Sequence, residues 1–378
     1  YDAPMHDPPL VHPPHVARPL RLRPFRGLTL DPSRIGSPAS ARAFTRPYDQ
    51  VADRLERWAR RGQVHHDSEP ALYVHEYAVG GVTVRGLVGA LDISRVAHER
   101  RDAAVLPHEG IHPRQVDDLA ARMSQMQVNP APILLVHHGP VAVREVLDRE
   151  QRRSPDRELT DRGGQHHRVW AIREPSTLAT LERELADRQA LIADGHHRYA
   201  AYLQLRAREP GTATRAGLAM LVDQDDTPLH LGPIHRILGH TTLPALAAAG
   251  ARIGAVLREV DAERAIGALA PDTLVATDGR RWATLDVHLP PDRLAVEVLH
   301  DRLLPELRPR PTRLAYHHGV NEALADIDRR PGVAVLMPAP TFSRVLATCT
   351  ADRLLPEKAT SFQPKPSVGV LIRSLRDG

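Results

Sequence analysis

Of the 50 basic residues in this 378-residue chain only two are lysines, Lys358 and Lys365, and both fall in the stretch LPEKATSFQPKP. An ammonium is a compact charge on a flexible stem, whereas guanidinium is a broad planar fork, so the two do not substitute for each other at a crowded phosphate. A chain that uses arginine elsewhere and keeps lysine on one proline-flanked loop points to such a requirement. A second group lies in ADGHHRYAA, residues 193–201. There an Asp-Gly turn leads from a strand into a helix whose first backbone N–H groups, at His196, His197 and Arg198, favour an anion. Gly195 lets the backbone approach a ligand closely, Arg198 offers two parallel hydrogen bonds to phosphate oxygens, and Asp194 suits a magnesium ion or a polar ligand group. The same pattern also suits a plain helix cap whose charges face solvent.

A third group, LPHEGIHPRQVDD at 106–118, contains H-E-x-x-H, the zinc-protease spelling in which two histidines bind one metal from one face of a helix. Pro107 before it, Gly110 inside it and Pro113 after it argue against that helix, because a residue preceding proline is pushed out of helical geometry. The segment reads better as a loop on which Glu109, with His108 beside it, accepts a proton or holds a metal. A solvated surface glutamate is the plainer alternative. Asp117 and Asp118 open a helix and suit its N-terminal dipole. The histidine pairs at 65–66, 137–138, 166–167 and 317–318 show no spacing that singles out a metal set. PIHR, 233–236, follows a strand-like run and offers Arg236 for structure or for binding.

The elements that must carry these groups alternate between strand and helix patterns. A short strand is expected in RLRPFRGLTL (21–30), then an amphipathic helix with Val51, Leu55 and Trp58 on one face, then a hairpin turning at Gly80-Gly81. A helix over 116–126, a buried strand over 131–138, a strand over 168–172 and a helix from Pro175, capped by Ser176 or Thr177, follow. The polar segment 147–167 reads as a hairpin loop or surface excursion. After the strand at 216–223, the Ala-rich run LPALAAAGARIGAVLREV reads as a helix that begins a second lobe with strands near 273–276 and 281–285, two further helices and the buried strand GVAVLMPAP. No fixed-period repeat is present, which excludes solenoids and propellers.

A hydrophobic fraction of 42% with 25% charge is that of a globular α/β protein, with mixed sheets. The formal charge of +4 is spread along the chain with acidic residues interleaved, so no basic face for nucleic acid is visible. A single cysteine, Cys349, excludes an intramolecular disulfide and a CxxC pair, which with the lack of a long apolar run predicts a cytoplasmic protein without membrane attachment. The prolines of residues 1–20 predict a disordered tail.

RPFRGL, RPYDQV, LPHEGIHPRQVDDL, LIADGHHRYAAYL, GPIHRIL and LPEKATSFQPKPSVGVLI occur in the order seen in the bacterial domain-of-unknown-function 1015 family, which the chain resembles along nearly its whole folded length. That family is similar to free serine kinase and to the ParB/sulfiredoxin-like superfamily. The resemblance implies a ParB/sulfiredoxin-like nucleotide-binding core over 21–238 and a C-terminal α/β lobe over 239–378 that contributes the lysine loop. It implies that the DGHHR loop, Gly195 to Arg198, holds the phosphates of ATP or ADP together with Lys365. It also implies that Asp194 positions Mg2+ or ligand, Glu109 deprotonates a hydroxyl, and Lys358 neutralises developing charge. The chain departs from the family at Arg46, at Gly110-Ile111, at His197 and at Ala359, which implies an altered substrate.

Two functions follow as expectations. The first is phosphoryl transfer from an adenine nucleotide to a hydroxyl of a small molecule, serine or a related amino acid foremost, a reaction that depends on positioning and charge neutralisation. The second is a CTP- or ATP-binding switch of ParB-like type without kinase activity, although no helix-turn-helix with a basic recognition face is evident.

Overall fold

A computed structural model of the protein describes residues 10–36, 40–290, 292–351 and 353–377. The chain forms mixed α/β structure in two units. The larger comprises Leu10–Pro107, Ile111–Leu229 and 364–377, and the smaller comprises His108–Gly110 and His230–Gln363. The division at 229/230 differs from the expected 238/239 because the GPIHRIL strand, His235–Gly239, is buried throughout and pairs on both sides within the smaller unit, with Gly332–Leu336 and Leu314–His317.

The larger unit is built on a nine-stranded mixed sheet. Its strand order is Val105–Leu106, Ala190–Asp194, Ile133–His137, Ala216–Asp223, Val82–Asp92, Leu72–Val79, His166–Ile172, Arg157–Thr160, with Leu22–Arg23 added against Val82–Asp92. Ile133–His137 and Ala216–Asp223 are parallel and buried at every position, which explains why they read as continuous apolar runs and not as alternating ones. Leu72–Val79 and Val82–Asp92 form the expected hairpin, turned by Gly80 and Gly81 at φ +58° and +79°. Trp170, Leu87, Leu135, Ile192 and Tyr199 belong to the core on this sheet. The smaller unit has a six-stranded sheet with a core around Ile237, Val275, Ala334 and Leu336, and a two-stranded ribbon in which His230–Gly232 pairs with Ser361–Gln363.

Three expectations are corrected. Residues 1–9 of the expected tail lie outside the described residues, and 10–20 are not a disordered tail. Val16 and Leu20 are buried, the Val11 N–H donates to the Ile111 carbonyl at 3.0 Å, and the Val16 N–H donates to the Tyr199 hydroxyl at 2.8 Å. Apolar residues set between the prolines supply enough burial to hold the segment down. The run at 243–260 is a helix only over Leu243–Arg252. Gly254, at φ +79°, ends it, and Val256–Val260 is a strand. The helix Pro175–Leu185 is capped by Glu174, whose carboxylate accepts from the N–H groups of Ser176 and Thr177 at 3.0 and 2.6 Å, and not by Ser176 or Thr177 themselves. Segment 147–167, expected as a hairpin loop or surface excursion, contains the end of the helix Val141–Gln151 and a hairpin whose turn exposes residues 162–164 and buries Asp161 and Gln165 on either side. Among the described residues no helix is long and apolar enough to cross a membrane.

Candidate functional site

In the larger unit the strand Ala190–Asp194 runs antiparallel to Ile133–His137 and shifts register between Ile192 and Asp194. Such an irregularity re-aims a side chain at a strand end. Gly195 follows at φ +96°, a left-handed conformation that glycine adopts without strain, and starts the helix His196–Arg208 with no capping side chain. A Cβ at Gly195 would lie 3.0 Å from Nη2 of Arg198 and 3.1 Å from its Nε, so glycine is required twice, for the turn and for the path of this guanidinium.

Asp194 is the centre of the group. Its Oδ2 accepts from Arg198 Nη2 at 2.6 Å, and its Oδ1 is ion-paired with the ammonium of Lys365. Burial pushes the Asp194 carboxyl up, but the charges of Arg198 and Lys365 outweigh it and hold the group below the ordinary carboxylate range. Arg198 also donates from Nη1 to the Pro132 carbonyl at 2.7 Å. Its fork is therefore oriented by the protein and not held open for a purely bidentate phosphate grip, which amends the expectation for this residue. His197 accepts the His112 N–H at its Nε2, 3.0 Å away, and its ring stacks on that of His112 at 5.7 Å between centroids. His196 is buried. The group thus brings together Asp194, Gly195, the first turn at His196 to Arg198, and Lys365.

Lys365 reaches Asp194 because its loop is gripped by the turn of the hairpin at 157–172. The Gln165 side chain donates to the Lys365 carbonyl at 3.1 Å and accepts the Ser367 N–H at 2.9 Å. The Ser367 hydroxyl donates to Asp161, and Tyr77 donates to the Pro364 carbonyl at 2.8 Å. Asp161 in turn accepts N–H groups of Gly163 and Gln165 at 2.7 and 2.9 Å and lies 3.3 Å from His167 Nε2, whose Nδ1 is 3.0 Å from His75 Nε2. Burial would raise the Asp161 carboxyl, but these hydrogen bonds lower it. His75 is held well below the usual imidazole range by burial and by His167. Asp161, Gln165 and Ser367 were not singled out from sequence. Each is an ordinary polar residue, and the partners lie some 200 positions apart.

In the smaller unit Glu109 forms an isolated parallel bridge with Leu355, and the Leu355 N–H donates to the His108 carbonyl at 2.8 Å. The backbone N–H groups of Ala359 and Thr360 donate to the Glu109 carboxylate. His108 Nε2 is 2.7 Å from the Thr360 hydroxyl, which lies 3.5 Å from Glu109 Oε1. Burial pushes the Glu109 carboxyl up to about 7, against the opposing pull of the Lys358 charge and the two backbone N–H groups. A carboxylate poised there is well matched to accept a proton near neutral pH. Lys358 itself is exposed and has φ +56°, a conformation that residues other than glycine seldom adopt. Arg236, 1% exposed, holds that backbone, donating to the carbonyls of Lys358 and Glu357 at 2.9 and 3.3 Å. The arginine of PIHR is thus a positioning residue for the Lys358 turn.

The two lysines divide between the units. Lys365 is with the DGHHR turn, and Lys358 is with Glu109. A magnesium ion needs oxygen ligands with open lone pairs. Both oxygens of Asp194 face cations, and among the described residues no group of three or more His, Cys, Asp or Glu side chains can hold a metal. A magnesium ion at Asp194 would have to displace Lys365 or Arg198 from this carboxylate and draw its other ligands from nucleotide phosphates and water. In the H-E-x-x-H segment the helix begins at Pro113, with His112 extended at its cap, so His108 and His112 do not share a helix face.

A family model described as "Protein of unknown function (DUF1015)" matches residues 17–292, a span that takes in the motifs from RPFRGL to GPIHRIL and ends before the lysine loop. No curated protein matches in sequence. Among solved structures, a mutant of free serine kinase in complex with AMP aligns at 14% identity and TM-score 0.43, covering 78% of this chain and 93% of the other. A mutant of the same kinase in complex with ADP aligns at 14% and 0.42, over 72% and 90%. SbnI with a C-terminal truncation, from Staphylococcus aureus, aligns at 11% and 0.42, over 72% and 85%.

Proposed function

The chain belongs to the DUF1015 family, and from the chemistry of its own side chains we propose that it is a phosphotransferase moving a phosphoryl group from ATP or ADP to a hydroxyl of a small molecule, serine or a related amino acid being the first candidate. The observation that carries this reading is the Asp194 carboxylate holding Arg198 and Lys365 together at the N-terminus of the helix His196–Arg208. Two cations and a row of helix N–H groups suit phosphate oxygens, and their mutual repulsion is offset by the carboxylate until the ligand arrives. In this reading Gly195, His196, His197, Arg198 and Lys365 bind the nucleotide phosphates, and Asp194 orients the two cations. Glu109, with its raised proton affinity, takes the proton of the acceptor hydroxyl, and Lys358 offsets charge that develops during transfer. No step is assigned to a metal ion.

Phosphorus NMR of the protein with ATP or ADP and a panel of hydroxylated amino acids tests the reading. It expects a new phosphate ester with at least one acceptor, lost in Glu109→Gln although nucleotide still binds. Nucleotide binding with no ester from any acceptor would favour the switch and set aside the transferase.

A further inference from the structure

A cleft of about 320 Å³ in the larger unit is lined by Arg23, Arg26, Arg215 and Arg373, with Asp377 as its only side-chain carboxylate among the described residues. It shares no residue with the Asp194 group. The helix His196–Arg208 starts at that group, and its 13 residues span about 20 Å before the chain reaches Thr212 and Arg215 on the cleft wall.

Among the described lining residues four arginines face one carboxylate. Arg23 is paired with Asp92. Arg26 and Arg215 are exposed and make no ion pair among the described residues. Arg373 is 6% exposed, and its guanidinium donates to the carbonyls of Ala216 and Ala213 at 2.9 and 2.7 Å and to Asn129 Oδ1 at 3.2 Å, all of them neutral acceptors. Asp377 lies 3.3 Å from His66 Nε2 and makes no hydrogen bond to Arg373. Arg373 is hydrogen-bonded to neutral acceptors, feels the charge of Asp377 without a hydrogen bond to it, and shares the wall with two unpaired guanidiniums, so the cleft carries an excess of positive charge. Guanidinium forks match phosphate oxygens, and the volume is at the lower end for small-molecule pockets.

We propose that this cleft is a second anion site, separate from the Asp194 group, that takes a small ligand bearing a diphosphate-like group, with Arg26, Arg215 and Arg373 as its contacts. The diphosphate has two chemical sources, free pyrophosphate and the phosphate tail of a nucleotide.

Isothermal titration with inorganic pyrophosphate, at constant ionic strength and in the Lys365→Ala background, tests it. One saturable equivalent of pyrophosphate is expected, weakened at least tenfold in Arg26→Ser/Arg215→Ser, which alters exposed side chains and should leave the melting temperature unchanged. Displacement of pyrophosphate by ATP would assign nucleotide phosphates as the source, and failure of ATP to displace it would assign the free anion. Pyrophosphate binding abolished by Lys365→Ala alone would overturn the proposal. So would binding that ignores the two arginine substitutions, or heats that never saturate.

Discussion

Lys365 and Asp194, 171 positions apart, form an ion pair, and the same carboxylate holds Arg198 through its other oxygen. One acidic side chain therefore fixes the separation of two cations, one from the same turn and one from the C-terminal segment. Lys365→Arg keeps the charge but replaces a compact head with a fork. It is expected to lower nucleotide affinity by about tenfold, equivalent to roughly 1.4 kcal/mol. The side chain is 45% exposed, so thermal melting should be nearly unmoved. Calorimetric titration beside a melting curve separates the two effects, and parent-like affinity in the variant would remove Lys365 from the phosphate site.

Glu109 should set the acid limb of the transfer reaction. A base must be deprotonated to act, so the rate is expected to rise with pH through about 7. Glu109→Gln should abolish both that limb and the transfer while leaving nucleotide affinity intact. The stability effect has the opposite sense. A folded-state pKa raised from 4.5 means that the folded protein holds its proton longer than the unfolded chain, so this group favours folding at low pH and that contribution is lost as pH rises from about 4.5 through 7. At pH 8 Glu109→Gln is therefore expected to raise stability, on the order of 1–3 kcal/mol. Denaturant melts at pH 5 and pH 8 that show the same difference between variant and parent would contradict this assignment.

Asp161→Ala removes the acceptor on which the Ser367 hydroxyl, His167 and the N–H groups of Gly163 and Gln165 converge. Leaving such donors unsatisfied in a buried place costs about 1–3 kcal/mol for each group fully lost. The variant should lose several degrees of melting temperature, and nucleotide affinity should fall as well, because the loop carrying Lys365 is no longer anchored. Combining it with Lys365→Ala should add little further loss of affinity. Fully additive losses would mean that the hairpin turn acts independently of the lysine.

Gly195→Ala forces a Cβ into a left-handed turn and against the Arg198 guanidinium. A cost on the order of 1–2 kcal/mol is expected from the backbone alone, together with weaker nucleotide binding as Arg198 is displaced. If the melting temperature fell and nucleotide affinity did not, Arg198 would be serving the fold and not the ligand.

Much of the Asp194 group is legible because its signals are local. An Asp-Gly pair between a buried strand and a helical pattern marks a strand-turn-helix, although a plain cap fits that pattern equally well, and the lysines stand out against a chain rich in arginine. The zinc spelling was resolved by proline geometry around residues 107–113. What could not be read is the set of long-range supports. Gln165 and Lys365 carry no shared pattern, and the role of Arg236 depends on a left-handed turn at a lysine, where sequence preference would place glycine. The 147–167 segment reads as a surface hairpin because it is mostly polar, and what its polarity does not reveal is that Asp161 and Gln165, buried beside an exposed turn, satisfy one another and the returning C-terminal segment. The segment 10–20 was misread for the opposite reason, since its prolines masked two apolar anchors.

The small four-stranded sheet of the larger unit places Ile372–Ser374 between Gly27–Leu30 and Val128–Asn129. Arg373 and Asn129 are 244 positions apart, so the ribosome delivers one side of this sheet long before its centre strand. At roughly 5–20 residues per second the wait is on the order of ten seconds to a minute, during which both neighbouring strands lack their partner. The same order of synthesis delays the arrival of Lys365 at Asp194. A nascent chain would thus be unable to complete the Asp194, Arg198 and Lys365 group until its C-terminal segment had been made, so premature termination would yield a fragment with an unpartnered sheet and Asp194 without its ammonium partner.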